Sequence, residues 1–253
     1  MTLFRNVVFV AALAGLVAGI VMAALQAYAT VPLILQAETF ESAGGGHDHG
    51  AAGHAHDEGT AAGHSHDAAP AGDEEEGWAP ADGFERFFYT SMANIVTAIG
   101  FGLVLVVASE FAGGISGWRQ GLLWGLAGFA TFTLAPGLGL PPELPAMPAA
   151  DLGARQAWWL GTVIATGAGL ALIAFRRSLP LAALGVVLIV APHVIGAPQP
   201  VSHESPVPAD LHHDFVVAVT VTNLVFWAVL GAVAGTLRGR FADEAGAAQK
   251  SFA

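Results

Sequence analysis

Six stretches of the chain are apolar on every side, and the polar residues are gathered into the intervals between them. They run from Val7 to Ala29, Phe88 to Ser109, Gly121 to Leu140, Ala157 to Phe175, Leu179 to Ile195 and Phe215 to Leu237. Each is close to the roughly 20 residues needed to cross a hydrocarbon core of about 30 Å. None alternates apolar with polar positions, so the pattern predicts helices and disfavours strands. The fifth stretch is the shortest and holds Pro192, which makes it the weakest of the six. The expected fold is an all-α integral membrane protein, a bundle of about six transmembrane helices.

The polar intervals set an orientation. Arg5, Arg119, Arg176, Arg177, Arg238, Arg240 and Lys250 fall on one side if all six stretches cross, and only Arg86 and Arg155 on the other. The side richer in Arg and Lys is the cytoplasmic one, so both termini are expected in the cytoplasm. The acids and histidines, which played no part in that assignment, agree with it. Of 20 Asp and Glu, only Glu110, Asp243 and Glu244 fall inside, giving net charges of −15 outside and +4 inside. All ten histidines lie outside or at the outer edge. Ala27-Tyr28-Ala29 has the form of a signal-peptide cleavage site. The apolar run before it is longer than a usual signal core, which favours a retained anchor; cleavage would leave five spans in the same orientation.

Composition narrows the function. The chain of 253 residues is 54% hydrophobic and only 11% charged, against roughly 25% charged in a soluble domain. It has no cysteine, which excludes disulfides, thiolate metal sites, iron–sulfur ligation and thiol catalysis. A net charge of −11 argues against nucleic acid as a partner. There is no GxxxxGK[ST] loop, and Lys250 is the sole lysine, so the chain does not bind ATP in the P-loop manner.

The longest polar interval carries the most specific chemistry. From Ser42 to Gly77 there is no Val, Ile, Leu, Met, Phe, Trp or Tyr, so little apolar surface is available to offset ordering entropy and disorder is expected. Within it, Ala51-Ala52-Gly53-His54-Ala55-His56-Asp57 recurs ten residues on as Ala61-Ala62-Gly63-His64-Ser65-His66-Asp67, and Gly46-His47-Asp48-His49 adds a third pair. In an extended chain, residues i and i+2 project to one side, so each His-x-His pair can chelate one ion. Imidazole, with an ordinary pKa of about 6.5, is mostly neutral at pH 7 and offers a lone pair. With Asp48, Asp57 and Asp67 beside them, these ligands suit Co²⁺, Ni²⁺, Zn²⁺ or Cu²⁺ without selecting one. A plain solvated linker would need no such pairing. The run Asp73-Glu74-Glu75-Glu76 reads as a solvating segment that also lowers the local potential for cations.

Further polar groups flank the spans on the same side: Glu38, Glu41, Asp82, Glu85, Glu143, Asp151, His193, His203, Glu204, His212, His213 and Asp214. Prolines on either side of Glu143 predict a short rigid hairpin. Asp210 reads as an N-cap of the last span, and Trp158 with Trp159 as an interfacial anchor. His193 has two readings, a metal ligand or a hydrogen-bond partner for a carbonyl freed by Pro192. Asn94 with Thr97, and Thr220 with Asn223, share helix faces and read first as interhelical contacts, second as the lining of an ion path. Gly15-x-x-x-Gly19, Gly121-x-x-x-Gly125 and Gly231-x-x-x-Gly235 allow close helix approach. No carboxylate sits at the centre of a span, which argues against a pump with a buried acidic relay. The boundaries that follow are residues 1–41 for the first helix and its outer extension, 42–77 for the loop, 78–241 for a five-helix bundle and 242–253 for a tail.

Several segments in one order resemble the CbtA-type family of predicted cobalt transporter subunits. They are Val31-Pro32-Leu33-Ile34-Leu35-Gln36-Ala37-Glu38, Trp78-Ala79-Pro80-Ala81-Asp82-Gly83-Phe84-Glu85-Arg86 and Leu134-Ala135-Pro136 with Gly139-Leu140-Pro141-Pro142-Glu143-Leu144-Pro145. Ala154-Arg155-Gln156-Ala157-Trp158-Trp159 and Pro192-His193-Val194-Ile195-Gly196-Ala197-Pro198 complete the set. The resemblance covers nearly all of the chain outside the histidine-rich loop. It implies cobalt uptake linked to cobalamin synthesis across a bacterial cytoplasmic membrane, beside a small one-span partner that also carries histidines. His193, Glu143, Asp82 and Glu85 match its motifs and join His47, His49, His54, His56, His64 and His66 as candidate metal residues. No tightly bound cofactor is expected, the metal being cargo. Two rival readings are a membrane-anchored metal sensor or buffer, and a metal-dependent membrane enzyme. The second lacks an HExxH helix or any comparable compact motif, so the chain is not expected to be an enzyme.

Overall fold

The computed structural model describes residues 2–44, 80–81, 83–176 and 178–251, and every regular element among them is helical. The elements are α1 (Thr2–Ala29), α2 (Val31–Gly44), α3 (Phe84–Phe111), α4 (Trp118–Phe129), a π-helical turn (Ala130–Leu134), α5 (Ala135–Gly139), α6 (Leu152–Phe175), α7 (Leu179–Ile195) and α8 (Ala209–Ser251). Among the described residues, five stretches are long and apolar enough to cross a membrane: Phe4–Ala29, Phe84–Phe111, Trp118–Gly139, Leu152–Phe175 and Ala209–Phe241. The remaining expected span, Leu179–Ile195, is an apolar helix of 17 residues. At 1.5 Å per residue it is about 25 Å long, a little under the hydrocarbon thickness. It nevertheless runs back beside α6 over most of that helix's length. Gly185 meets Gly169 near the middle, and Trp158 Nε1 donates to the Pro192 carbonyl at 3.3 Å near the end.

The third span is not one regular helix. Pro136 has no N–H, and its ring crowds the carbonyl four residues back. The backbone relieves this by widening into the π turn at Ala130–Leu134 before resuming as α5.

Small residues decide which helices touch. Lipid offers no hydrophobic drive for helices to associate, so backbones that approach closely gain dispersion and weak Cα–H···O contacts. A Cβ placed on Gly121 would lie 2.2 Å from the Gly231 carbonyl oxygen, and one on Gly231 would lie 2.3 Å from that of Gly121. Gly125 and Gly235 are equally closed, so α4 and α8 meet backbone to backbone. Gly15 and Gly19 seat α1 in the same way on Ile99 and Ile95 of α3. All three Gly-x-x-x-Gly patterns are therefore packing surfaces. Val10, Ala11, Ala14 and Ala18 of α1 are fully buried, which makes the first helix an integral part of the bundle. Phe226, Trp227 and Leu230 of α8 fill the space between α1, α3 and the π turn, where Trp227 stacks on Phe132 at 5.6 Å.

The outward faces are as apolar as the core. Val96, Leu123, Ile164 and Val187 are each exposed by 60% or more. A soluble protein seldom shows so continuous an apolar surface; a bilayer requires one.

The connections sort to two ends. At one, hereafter the loop end, lie α2 and residues 140–151 and 196–208. At the other lie residues 112–117, 176 and 178 together with the start of α1 and the later turns of α8, where Phe9 meets Phe241 edge to face and Arg238 pairs with Glu110.

Candidate functional site

At the loop end the chain forms a small apolar platform of its own. Ala37 of α2, Leu144, Val207, Leu211 and Phe215 are buried against one another, with Leu33, Ile34, Phe40 and Met147 packed around them. This platform ties α2, the proline hairpin and the start of α8 together, and so holds the polar side chains of three separate segments in one place. The sequence pattern places α2 only within the outer extension of the first helix. It is a regular helix that continues to Gly44, three residues into the segment predicted to be disordered. Pro32 is compatible with it because a proline at the second helical position would have had no intrahelical partner for an N–H anyway.

Two sets of charged and polar groups stand on the platform. In the first, Arg86 of α3 grips Glu38 of α2 with both nitrogens, Nη2 to Oε1 at 2.6 Å and Nη1 to Oε2 at 3.3 Å. Glu85, next in sequence, is exposed, and its Oε2 accepts the Ala81 N–H at 3.2 Å. In the second, Glu143 accepts an ion pair from Arg155 at 3.0 Å, both side chains about a quarter exposed. One turn further along α6, Trp158 stands edge-on to His193 at 6.0 Å. The Pro192 carbonyl beside His193 accepts the Trp158 and Gly196 N–H groups. Glu143, Arg155, Trp158 and His193 thus follow one another along the first turns of α6.

His212 contributes a brace. Its Nε2 lies 3.1 Å from the Pro142 carbonyl. A carbonyl only accepts, so Nε2 carries the proton, and the bond pins the hairpin holding Glu143 onto α8. His203, Glu204, His213 and Asp214 are all exposed. His47, His49, His54, His56, His64, His66 and Asp82 lie outside the described residues. Among the described residues, no three His, Asp or Glu side chains approach closely enough to hold one ion together.

Two local expectations are corrected. Asp210 lies inside the first turn of α8, which starts at Ala209, so it complements the helix dipole instead of capping the end. The residue that does cap a helix is Asp151, whose side chain accepts the Ala154 N–H at 2.8 Å. Trp158 packs inward against Gly139 and His193, leaving Trp159 as the more lipid-facing of the two.

Deeper in the bundle, Asn94 Nδ2 of α3 donates to Gln26 Oε1 of α1 at 2.7 Å. This is the interhelical contact expected of Asn94, with a partner the span pattern did not single out. Gln26 and Thr30 are four residues apart at the end of an otherwise apolar run, and that spacing was the available signal. Thr220 and Asn223 bond instead to carbonyls of their own helix, Val216 at 2.7 Å and Val219 at 2.9 Å.

The model of the family described as probable cobalt transporter subunit (CbtA) matches residues 4–239. No curated protein and no solved structure matches the chain. The matched region takes in the long apolar helices, the last of them as far as residue 239, and both polar groupings at the loop end, and the chain belongs to the CbtA family of probable cobalt transporter subunits.

Proposed function

We propose that this chain carries Co²⁺ inward across a bacterial cytoplasmic membrane, with the loop end outside and the histidine-rich segment as its collector. The observation that carries the proposal is the segregation of ligands. Apart from the tail acids, Glu110 is the one carboxylate away from the loop end, and it is paired with Arg238. Every histidine belongs to the loop-end side of the sequence. Acidic groups there raise the local cation concentration. The His-x-His pairs take the ion, and Glu143 with His193 receive it at the mouth of the bundle. Asp82 and Glu85 serve the same face.

Sparse ligands at the mouth suit this role. Glu143 is held by Arg155 until a cation competes for it. A transfer site must release its ion as readily as it takes it. An inward-negative potential then favours entry by about 2.3 kcal/mol per charge for each 100 mV. The word subunit in the family's description supports a partner protein; on this reading it is a small one-span protein with histidines of its own, and the metal entering serves cobalamin synthesis.

Two substitutions test the mouth. Cells carrying Glu143→Ala or His193→Ala should take up radioactive cobalt about tenfold more slowly than wild type at equal protein level. Wild-type rates in both variants would remove these residues from the pathway.

A further inference from the structure

On the side of the π turn away from the loop end, the bundle parts. There α6 rests on the π turn and on α5, and near its far end Phe175 meets Trp124 of α4 with ring centroids 6.0 Å apart. Between those contacts α3, α4 and α6 wall an apolar groove of 1080 Å³, whose lining includes Val104, Ala108, Ala127, Gly167, Leu170 and Ala171. That volume stands at the top of the roughly 300–1,000 Å³ usual for ligand pockets. Val104, Leu123 and Ile164 of the lining are exposed, so the groove opens toward the surrounding lipid.

The groove reaches only part of the way across the bundle. On α6 it runs from Val163 to Arg176, about 20 Å at 1.5 Å per residue, and it stops at Thr131 and Phe132 of the π turn. A helix crossing the bilayer would need a seat along the whole hydrocarbon core of about 30 Å, whereas the chains of one leaflet need about half of it. The outer end of the groove offers donors. Gln120 and Arg176 line it there and are exposed. Gln120 Oε1 accepts both the N–H and the hydroxyl of Ser116, at 2.8 and 2.9 Å, which leaves its two Nε2 hydrogens for another acceptor. Arg176 has no carboxylate partner among the described residues. One turn deeper on α4, about 6 Å along the axis, the indole N–H of Trp124 has no acceptor among the described residues. The lining holds no Asp or Glu, and Glu110 at this end is paired with Arg238.

An anionic acceptor at the mouth, a neutral acceptor one turn in and apolar chains beyond is the order of groups in a glycerophospholipid: phosphate, ester carbonyls, acyl chains. Basic pockets between membrane helices favour such headgroups. We infer that the groove is a binding site for one anionic glycerophospholipid, its headgroup on Arg176 and Gln120 and its chains between α3, α4 and α6. The bound lipid fills the gap between α6 and the α3–α4 side of the bundle. This site goes beyond the transport reading and does not depend on it.

The test mixes the purified full chain in detergent with phosphatidylglycerol, or with phosphatidylcholine of the same acyl chains, and counts bound lipid by native mass spectrometry. Wild type should hold one phosphatidylglycerol in preference to phosphatidylcholine. Arg176→Gln should weaken phosphatidylglycerol binding about fivefold, the worth of one cationic side chain at a membrane surface, and leave phosphatidylcholine unchanged. Arg240→Gln removes the same charge outside the lining and should bind as wild type does. Ala171→Phe fills the groove from an exposed position and should exclude both lipids; Arg176→Gln reports even if that variant fails to fold. Equal retention of the two lipids by wild type, or phosphatidylglycerol binding unmoved by Arg176→Gln, overturns the site. So does an Ala171→Phe chain that keeps its lipid but loses a copurifying apolar helix or a second copy, which would make the groove a seat for protein.

Discussion

A Gly231→Leu chain should not accumulate as a folded protein. The first atom of any side chain at this position would sit 2.3 Å from the Gly121 carbonyl oxygen and 2.8 Å from both N and Cα of Gly125. These are backbone atoms of α4, so no rotamer change relieves the overlap, and the two helices must separate. Overpacking a core commonly costs about 1–3 kcal/mol when side chains can shift. Here the whole α4–α8 contact is lost, with Trp227 and its aromatic neighbours beside it. Set against a total stability of about 5–15 kcal/mol, that is enough to abolish the fold. Gly121→Leu, on the facing helix, should behave alike. Gly161→Leu is the control: it also lies within a membrane-length helix, but nothing stands within 4 Å of its Cβ position. In detergent, the Gly161 variant should elute as a single species with a melting temperature at or above wild type, and the Gly231 variant should aggregate or vanish. Equal melting of both would mean that α4 and α8 do not meet as described.

Replacing His47, His49, His54, His56, His64 and His66 by serine should alter the concentration dependence of uptake far more than its ceiling. A flexible collector acts by raising the effective concentration of ion at the mouth. Without it, uptake at limiting external cobalt should fall about tenfold, while the rate at saturating cobalt stays near wild type. The reason lies in the ligands: paired imidazoles in a segment without an apolar core bind and let go, and the mouth residues do the transfer. Uptake measured over a range of cobalt concentrations separates the cases. A lowered ceiling with unchanged half-saturation would make the histidines part of the pathway itself and not a collector.

The bundle was legible because each span is a long run with no charge, and lipid leaves a helix as its main option. Leu179–Ile195 has the same limits in the sequence and in the fold. The glycine patterns pointed to close contacts without saying which pairs meet; Gly121 and Gly231 are far apart in the chain. The loop end was harder. Arg86 with Glu38 and Asn94 with Gln26 join residues 48 and 68 positions apart, and neither pair leaves a periodic trace. The helix α2 was hidden because Pro32, Thr39 and Ser42 lower its local propensity, and the platform it packs on is built from distant segments. Trp158 misled for a similar reason. Beside Arg155 it has the composition of an interfacial anchor, but Gly139 leaves a space that its indole fills.

Everything proposed for the loop end depends on the metal crossing the membrane. Sealed right-side-out membrane vesicles from cells containing the chain, given an inward-negative potential and external cobalt, measure that crossing. Cobalt should accumulate in the vesicle lumen, collapse of the potential should stop it, and vesicles from cells lacking the chain should stay empty. Metal that binds to the chain-containing vesicles while their lumen stays as empty as that of the controls would contradict transport and leave a metal-binding membrane protein in its place.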